Sequence, residues 1–323
     1  MSSNTKKLIL LTLIILGLSF VLTGIFGVSF LGFGLLNKNI SRGEGKTFPV
    51  SGNFTEIDIK SQTANIRFYE SKGKSAKIVW SGNPAMRFSV NSLGRVLKVT
   101  EKYKLPWFLR LRIITDRAEI GVYLPRAGYK ELKLDSDSGS ITVPAGFSFV
   151  NAEIGSDTGA VEFHADVSGH IKIHTDTGRI SCSGMDAEKL EIHSDTGAVG
   201  VTDVNAAENF RAETDTGKIV LTNIRSGKLS AESDTGSLTL TNVIVNGSME
   251  LETDTGSISL EHCDAGKLEI ESDTGSVNGT LLTDKNFIVK SGTGRIDVPQ
   301  SDSGGECRIK TDTGSISIRI RGN

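Results

Sequence analysis

One tetrapeptide, Ser/Thr-Asp-Ser/Thr-Gly, recurs at residues 136–139, 156–159, 175–178, 194–197, 214–217, 233–236, 253–256, 272–275 and 311–314, with a degenerate Ser-Gly-Thr-Gly at 291–294. Successive glycines lie 19 or 20 residues apart. A unit of that length cannot bury an apolar side alone, so the units must stack on one another. The period also disposes of a tempting motif. Asp254-Thr255-Gly256 matches the tripeptide around the catalytic aspartate of aspartic proteases, but such an enzyme needs two carboxylates sharing one proton, and this chain repeats the element ten times.

Within each unit the side chains alternate. In "KLEIHSDTGAVGV", Leu190 and Ile192 point one way and Glu191, His193 and Asp195 the other, as a strand with one buried face requires. After Gly197 the parity shifts, and Val199 and Val201 become the inward residues. A corner at the glycine explains both facts, with the preceding Asp expected to accept hydrogen bonds from the turn. The predicted fold is an all-β β-solenoid (β-helix) of about ten or more 19–20-residue coils, spaced by about 4.8 Å. One inner row is expected to hold Leu132, Ile171, Leu190, Phe210, Leu229, Met249, Leu268 and Phe287. Another is expected to run from Ile141 through Val161, Ile180, Val199, Ile219, Leu238, Ile258, Val277 and Ile296 to Ile316.

The 323 residues divide into a tail at 1–7, an apolar run at 8–36, a linker at 37–53, irregular β coils at 54–130 and the regular solenoid at 131–323. Leu8 to Leu36 is 29 residues without a charge, enough for a spanning helix, which needs about 20. No A-x-A-like site follows it, so it reads as an uncleaved signal anchor rather than a signal peptide. Lysines and arginines flank both ends; a cytoplasmic N-terminus with the solenoid outside is the expected arrangement. The copy "FTEIDIKSQTANIRF" already keeps the repeat's register, with Ala64 where the glycine belongs. Further on, Trp107, Phe108, Arg110 and Arg112 mix aromatic and basic character. That loop reads as an irregular cap of the solenoid or as a contact with anionic lipid.

Charge is asymmetric. Residues 131–323 carry 16 Lys+Arg against 31 Asp+Glu, and residues 1–130 carry 20 against 7. An acidic rod without a basic, aromatic stripe is not a nucleic-acid binder. Cys182, Cys263 and Cys307 all fall at core positions, and in sequence order Cys263 and Cys307 stand about three coils apart. They are expected to be free, buried thiols.

Candidate chemistry centres on the outward column of motif aspartates. Asp195, Asp215, Asp234, Asp254 and Asp273, reinforced by Glu213, Glu232, Glu252 and Glu271, form a candidate cation column, calcium being the ion its oxygens would take. The competing reading is a solvated face of turn formers. His174 and His193 share one outer position of adjacent coils, with His164 nearby; two imidazoles in register suit a transition metal, but the sequence offers no consistent third ligand. Paired threonines such as Thr253 and Thr255 suggest ice-binding arrays, although their parity points inward. A glycan-cleaving site should break the repeat with a local cluster of unusual residues, and the array is nearly uniform. No catalytic residue and no cofactor are expected.

The anchor followed by [KE]-x-[LI]-x-[ST]-D-T-G-x-[IV] units, with "VPAG" at Val143 to Gly146 and "LPRAG" at Leu124 to Gly128, resembles the bacterial putative-adhesin domain family of β-strand-repeat proteins of unknown function. More narrowly, it is similar to LiaG-like anchored proteins of Gram-positive envelope-stress operons. The resemblance implies a membrane-tethered, non-enzymatic envelope protein and supplies no binding residues. The expected partners are membrane lipid through the N-terminal helix and an envelope protein or cell-wall polymer through an acidic surface, with a cation- or glycan-binding sensor as the alternative. The final strand, "GSISIRIR", carries Arg319 and Arg321; charges at an edge block pairing, so the soluble part is expected to be monomeric.

Overall fold

The computed structural model describes residues 45–73, 75–82, 86–103, 118–301 and 303–321. The run at 8–36 and the loop with Trp107, Phe108, Arg110 and Arg112 lie outside them. Glu44–Asn323 is one compact unit. Every regular element among the described residues is a strand, and no helix there is long and apolar enough to cross a membrane. The strands stack into a β-solenoid of about nine turns, against the ten or more that the repeat predicts.

Alternation in sequence becomes an apolar interior. In the strand Val199–Thr216, the side chains of Val199, Val201, Val204, Ala206, Phe210, Ala212 and Thr214 are buried and their neighbours face outward. A bulge between Ala206 and Asn209 separates two of the straight runs. Parallel pairing in register puts like positions above like. The first predicted row is continuous from Leu132 through Ala152, Ile171, Leu190, Phe210, Leu229 and Met249 to Leu268. Each fully buried side chain of this kind contributes about 1.5–3 kcal/mol, and all join one core cluster.

The motif corner works differently from the sequence expectation. An added Cβ at Gly159, Gly178, Gly197, Gly217, Gly236, Gly256 or Gly275 would lie 1.8–2.2 Å from the carbonyl oxygen of the glycine one coil before. The glycines therefore persist because the backbones stack too closely for a side chain. The corner's hydrogen bonds are made by the first residue of the motif rather than by the Asp. Ser156 Oγ and Thr175 Oγ1 accept from the N–H of Gly159 and Gly178 at 2.9 Å and close those turns, and later copies tie the corner to the coil before. Thr214, Ser233, Thr253 and Ser272 point inward, and their hydroxyls donate to the carbonyls of Gly197, Gly217, Gly236 and Gly256 at 2.9–3.2 Å. The carboxylates of Asp215, Asp234, Asp254 and Asp273 make no hydrogen bond among the described residues.

A second corner carries left-handed backbone at successive coils: Gly184 (φ 61°), Asp203 and Asn223 (φ 55°), Asn242 and His262 (φ 53°). Asn, Asp and Gly tolerate that region best. The Asn223 amide donates to Asp203 Oδ1 at 2.7 Å and the Asn242 amide to Asn223 Oδ1 at 3.0 Å, so the corner is also a side-chain ladder.

Both ends of the stack depart from chain order. At the C-terminal end, Gly305–Thr313 pairs with the coil of Leu268 on one side and with Lys285–Thr293 on the other. Ile316–Ile320 likewise sits between Val277–Leu281 and Ile296–Asp297. The last coil in sequence is thus interior, and the outer rung is the degenerate Ser-Gly-Thr-Gly copy, whose Ile288 and Ile296 are exposed. Arg319 is not on a free edge; it pairs with Asp297 at 2.7 Å. Cys307 stacks directly on Leu268, so the expected separation of about three coils from Cys263 does not hold. All three cysteines are nevertheless free and buried.

At the other end, Glu56–Ser61 lies between Val96–Tyr103 and Gly128–Ser136. The antiparallel strands Ala76–Ser81 and Met86–Leu93 then cover the rim. Part of the predicted linker belongs to this cap, since Lys46–Val50 pairs antiparallel with Ala76–Ser81. Buried Glu101 accepts from Ser61 Oγ at 2.5 Å and from the backbone N–H groups of Gln62, Thr63 and Ala64 at 3.0–3.2 Å. One carboxylate so closes the first corner, which has Ala64 in place of glycine.

Candidate functional site

The run that leads into each motif corner turns alternate side chains outward, and stacking aligns them into columns along one side of the solenoid. Over the first coils these columns line a groove of about 830 Å³ between Asp58 and Glu213. Gly155 makes its floor open: it stands in register between Asp135 and His174, and a Cβ there would meet only Asp135 Oδ1 at 3.8 Å.

Charges on the groove alternate in sign. Lys60 pairs with Asp135 at 2.9 Å, Lys98 with Asp58 at 3.0 Å and Lys133 with Glu153 at 3.1 Å. Lys60–Asp135 and Lys133–Glu153 are about half exposed, so solvent screening leaves them little net stabilisation, and their consequence is the surface pattern. Hydrogen bonding to Asp135 and Glu153 raises the pKa of Lys60 and Lys133 respectively.

Past His193 the column turns acidic, as the sequence reading has it. Glu213, Glu232, Glu252 and Glu271 are in register on adjacent coils. Arg211 reaches Glu213 at 3.1 Å and Glu232 at 3.4 Å, and Lys310 pairs with Glu271. Glu252, between them, has its pKa raised by partial burial first and then by the carboxylates of Glu232 and Glu271. The motif aspartates Asp215, Asp234, Asp254 and Asp273 occupy a separate exposed column at the corner. Thr253 points inward whereas Thr255 is turned out by the corner, so the two threonines do not form one surface.

His174 and His193 are in register, their rings stacked with centroids 5.2 Å apart and planes at 9°. What sequence reasoning missed is that the aspartate two positions on, assigned there to the outward acidic column, returns to its own imidazole. His174 Nε2 lies 3.1 Å from Asp176 and His193 Nε2 3.0 Å from Asp195, because the corner folds each carboxylate back towards its own strand. The signal was the H-x-D spacing in both coils. His164 is elsewhere, its Nδ1 2.8 Å from Ser183 Oγ.

One family profile matches residues 54–319, which span the stack of 19–20-residue coils. The chain belongs to the Toastrack DUF4097 family. Among solved structures, this Toastrack chain is similar to a putative adhesin from Parabacteroides distasonis at 12% identity, covering 85% of this chain and 97% of that one with a TM-score of 0.44. A putative adhesin from Bacteroides fragilis matches at 12% identity, 86% and 98% coverage and a TM-score of 0.39. A putative lipid binding protein from Parabacteroides distasonis matches at 12% identity, 86% and 97% coverage and a TM-score of 0.42. No curated protein matches the chain.

Proposed function

We propose that this protein is a non-enzymatic, membrane-anchored interaction module of the cell envelope, in which the groove centred on Gly155 receives the partner. The groove is the observation that carries the reading: it is open, and its charged walls are held by ion pairs rather than by bulk. Charge pairs of alternating sign suit an envelope protein or a cell-wall polymer with polar groups of both signs. The uncharged run at 8–36 supplies the anchor, with the solenoid on the extracytoplasmic side, and the LiaG-like arrangement of anchor and repeat supports a role in envelope stress.

The test is thermal unfolding of the full chain in detergent with soluble cell-wall fragments and, separately, with extracted envelope proteins. A partner that binds only the folded state raises the melting temperature by mass action. Gly155→Trp fills the groove without a clash at Cβ, so it should abolish the rise while leaving the unliganded melting temperature unchanged. A rise that survives Gly155→Trp would place the partner elsewhere on the rod.

A further inference from the structure

We infer that His174, His193 and Asp195 form a binding site for a divalent transition metal of the Zn2+ class on the wall of the groove. Parallel pairing holds the two imidazoles one strand apart, and one ligand atom from each of the three residues lies within 4.8 Å of the others. A tetrahedral site with bonds of about 2.0–2.1 Å needs donors roughly 3.3 Å apart. Closing the difference takes a side-chain rotation of under ~1 Å at each donor, and none of the three side chains is locked in the core.

The surroundings fit a metal better than they fit a bare histidine pair. His193 Nε2 faces Asp195 at 3.0 Å while its Nδ1 lies 3.7 Å from Glu213 Oε2. Glu213, held by Arg211 at 3.1 Å, stands just outside hydrogen-bond reach of that nitrogen, where a small side-chain rotation would let it take the N–H of a metal-ligating imidazole and fix its tautomer. Asp176, 3.1 Å from His174 Nε2, adds a further carboxylate on the second imidazole. Gly155 leaves the side next to His174 clear, so an ion has an entry path and a fourth position open to water or to a donor from a partner. Two imidazole nitrogens select zinc, copper or nickel over calcium and magnesium, which take oxygen ligands. The inference stands on these side chains and does not depend on what else occupies the groove.

The experiment is a Zn2+ titration of the metal-stripped, tag-free full chain in detergent against a chromophoric chelator, with Co2+ substitution as the spectroscopic check. One Zn2+ per chain is expected, with cobalt giving the visible bands of a four-coordinate site. His193→Ala and Asp195→Asn are each expected to lower the affinity at least ~10-fold, since even outer-shell partners are worth 10–100-fold, with an unchanged far-UV circular dichroism spectrum. Millimolar Ca2+ should not displace the ion. Equal affinity in the wild type and His193→Ala, or displacement by Ca2+, would overturn the assignment.

Discussion

Replacing Gly236 by alanine tests why the motif glycine is there. The new Cβ would stand 1.8 Å from the carbonyl oxygen of Gly217 and 2.5 Å from its carbon. Real Cβ contacts essentially never fall below 3.0 Å, so two stacked backbones must part by roughly 1.2 Å at a corner pinned by the Ser233 and Thr253 hydroxyls. Overpacking a core of side chains costs about 1–3 kcal/mol; backbone against backbone has fewer ways to yield, so a loss above ~3 kcal/mol is expected. At about 2–4 °C per kcal/mol for a domain of this order, the melting temperature should drop by at least ~6 °C. Gly200→Ala is the control, because its Cβ would meet only the Ile180 carbonyl at 3.9 Å; loss of backbone freedom in the unfolded chain then makes it neutral or stabilising by up to ~1 kcal/mol. Urea unfolding of both variants by far-UV circular dichroism measures the contrast. Equal effects at the two positions would refute the stacking argument and return the glycine to a purely conformational role.

Three further outcomes follow from the ends and the acidic column. The intercalated coil predicts that Glu271→Cys with Lys310→Cys, in register on adjacent strands, cross-links on oxidation, whereas Glu271→Cys with Lys290→Cys, two strands apart, does not; stacking in chain order would reverse the result, read by peptide mapping. Lys285 is buried, with Nζ 2.5 Å from Asp264 and 2.9 Å from the Ala265 carbonyl, so Lys285→Met should cost ~3–5 kcal/mol in urea unfolding by stranding Asp264, and adding Asp264→Leu should restore much of the loss. The raised pKa of Glu252 means that its charge opposes folding above the carboxylate range and that protonation relieves it. Glu252→Gln should therefore raise the melting temperature at pH 7, and the gain should vanish as the pH falls through the raised value towards the ordinary 4.5.

The regular part of the fold was legible because its period was. Ser-Asp-Thr-Gly every 19–20 residues and strict alternation around Leu190 and Val199 place the inner rows within the regular coils, where the structure adds only Ala152 to the first of them; Ile296, expected in the second, is exposed on the outer rung. Three features escaped. The order of the end coils was hidden because Cys307, Leu268 and Phe287 are interchangeable as row members, so periodicity states which position a residue takes and not which coil it touches. Closure of the corner was assigned to the Asp when the neighbouring hydroxyl makes it, a choice that depends on which side chain the parity sends inward. The cap strand Lys46–Val50 carries a proline and a short polar pattern that reads as linker. As for the candidate site, His174 and His193 were visible as a pair, but the return of Asp195 and the opening at Gly155 arise from the corner and from the stacking of adjacent coils.

The most direct test of the proposed role is the side of the membrane on which the solenoid stands. Burial pushes the Cys182 and Cys307 thiols up to about 12 and the Cys263 thiol to about 11, so all three are silent towards a maleimide in the folded protein, and Thr235→Cys adds one exposed thiol on the lateral face. With a membrane-impermeant maleimide on intact cells expressing the full chain, the variant should label as fully as it does after lysis, while the parent chain stays unlabelled. Labelling of the variant only after lysis would put the solenoid in the cytoplasm and contradict the envelope reading.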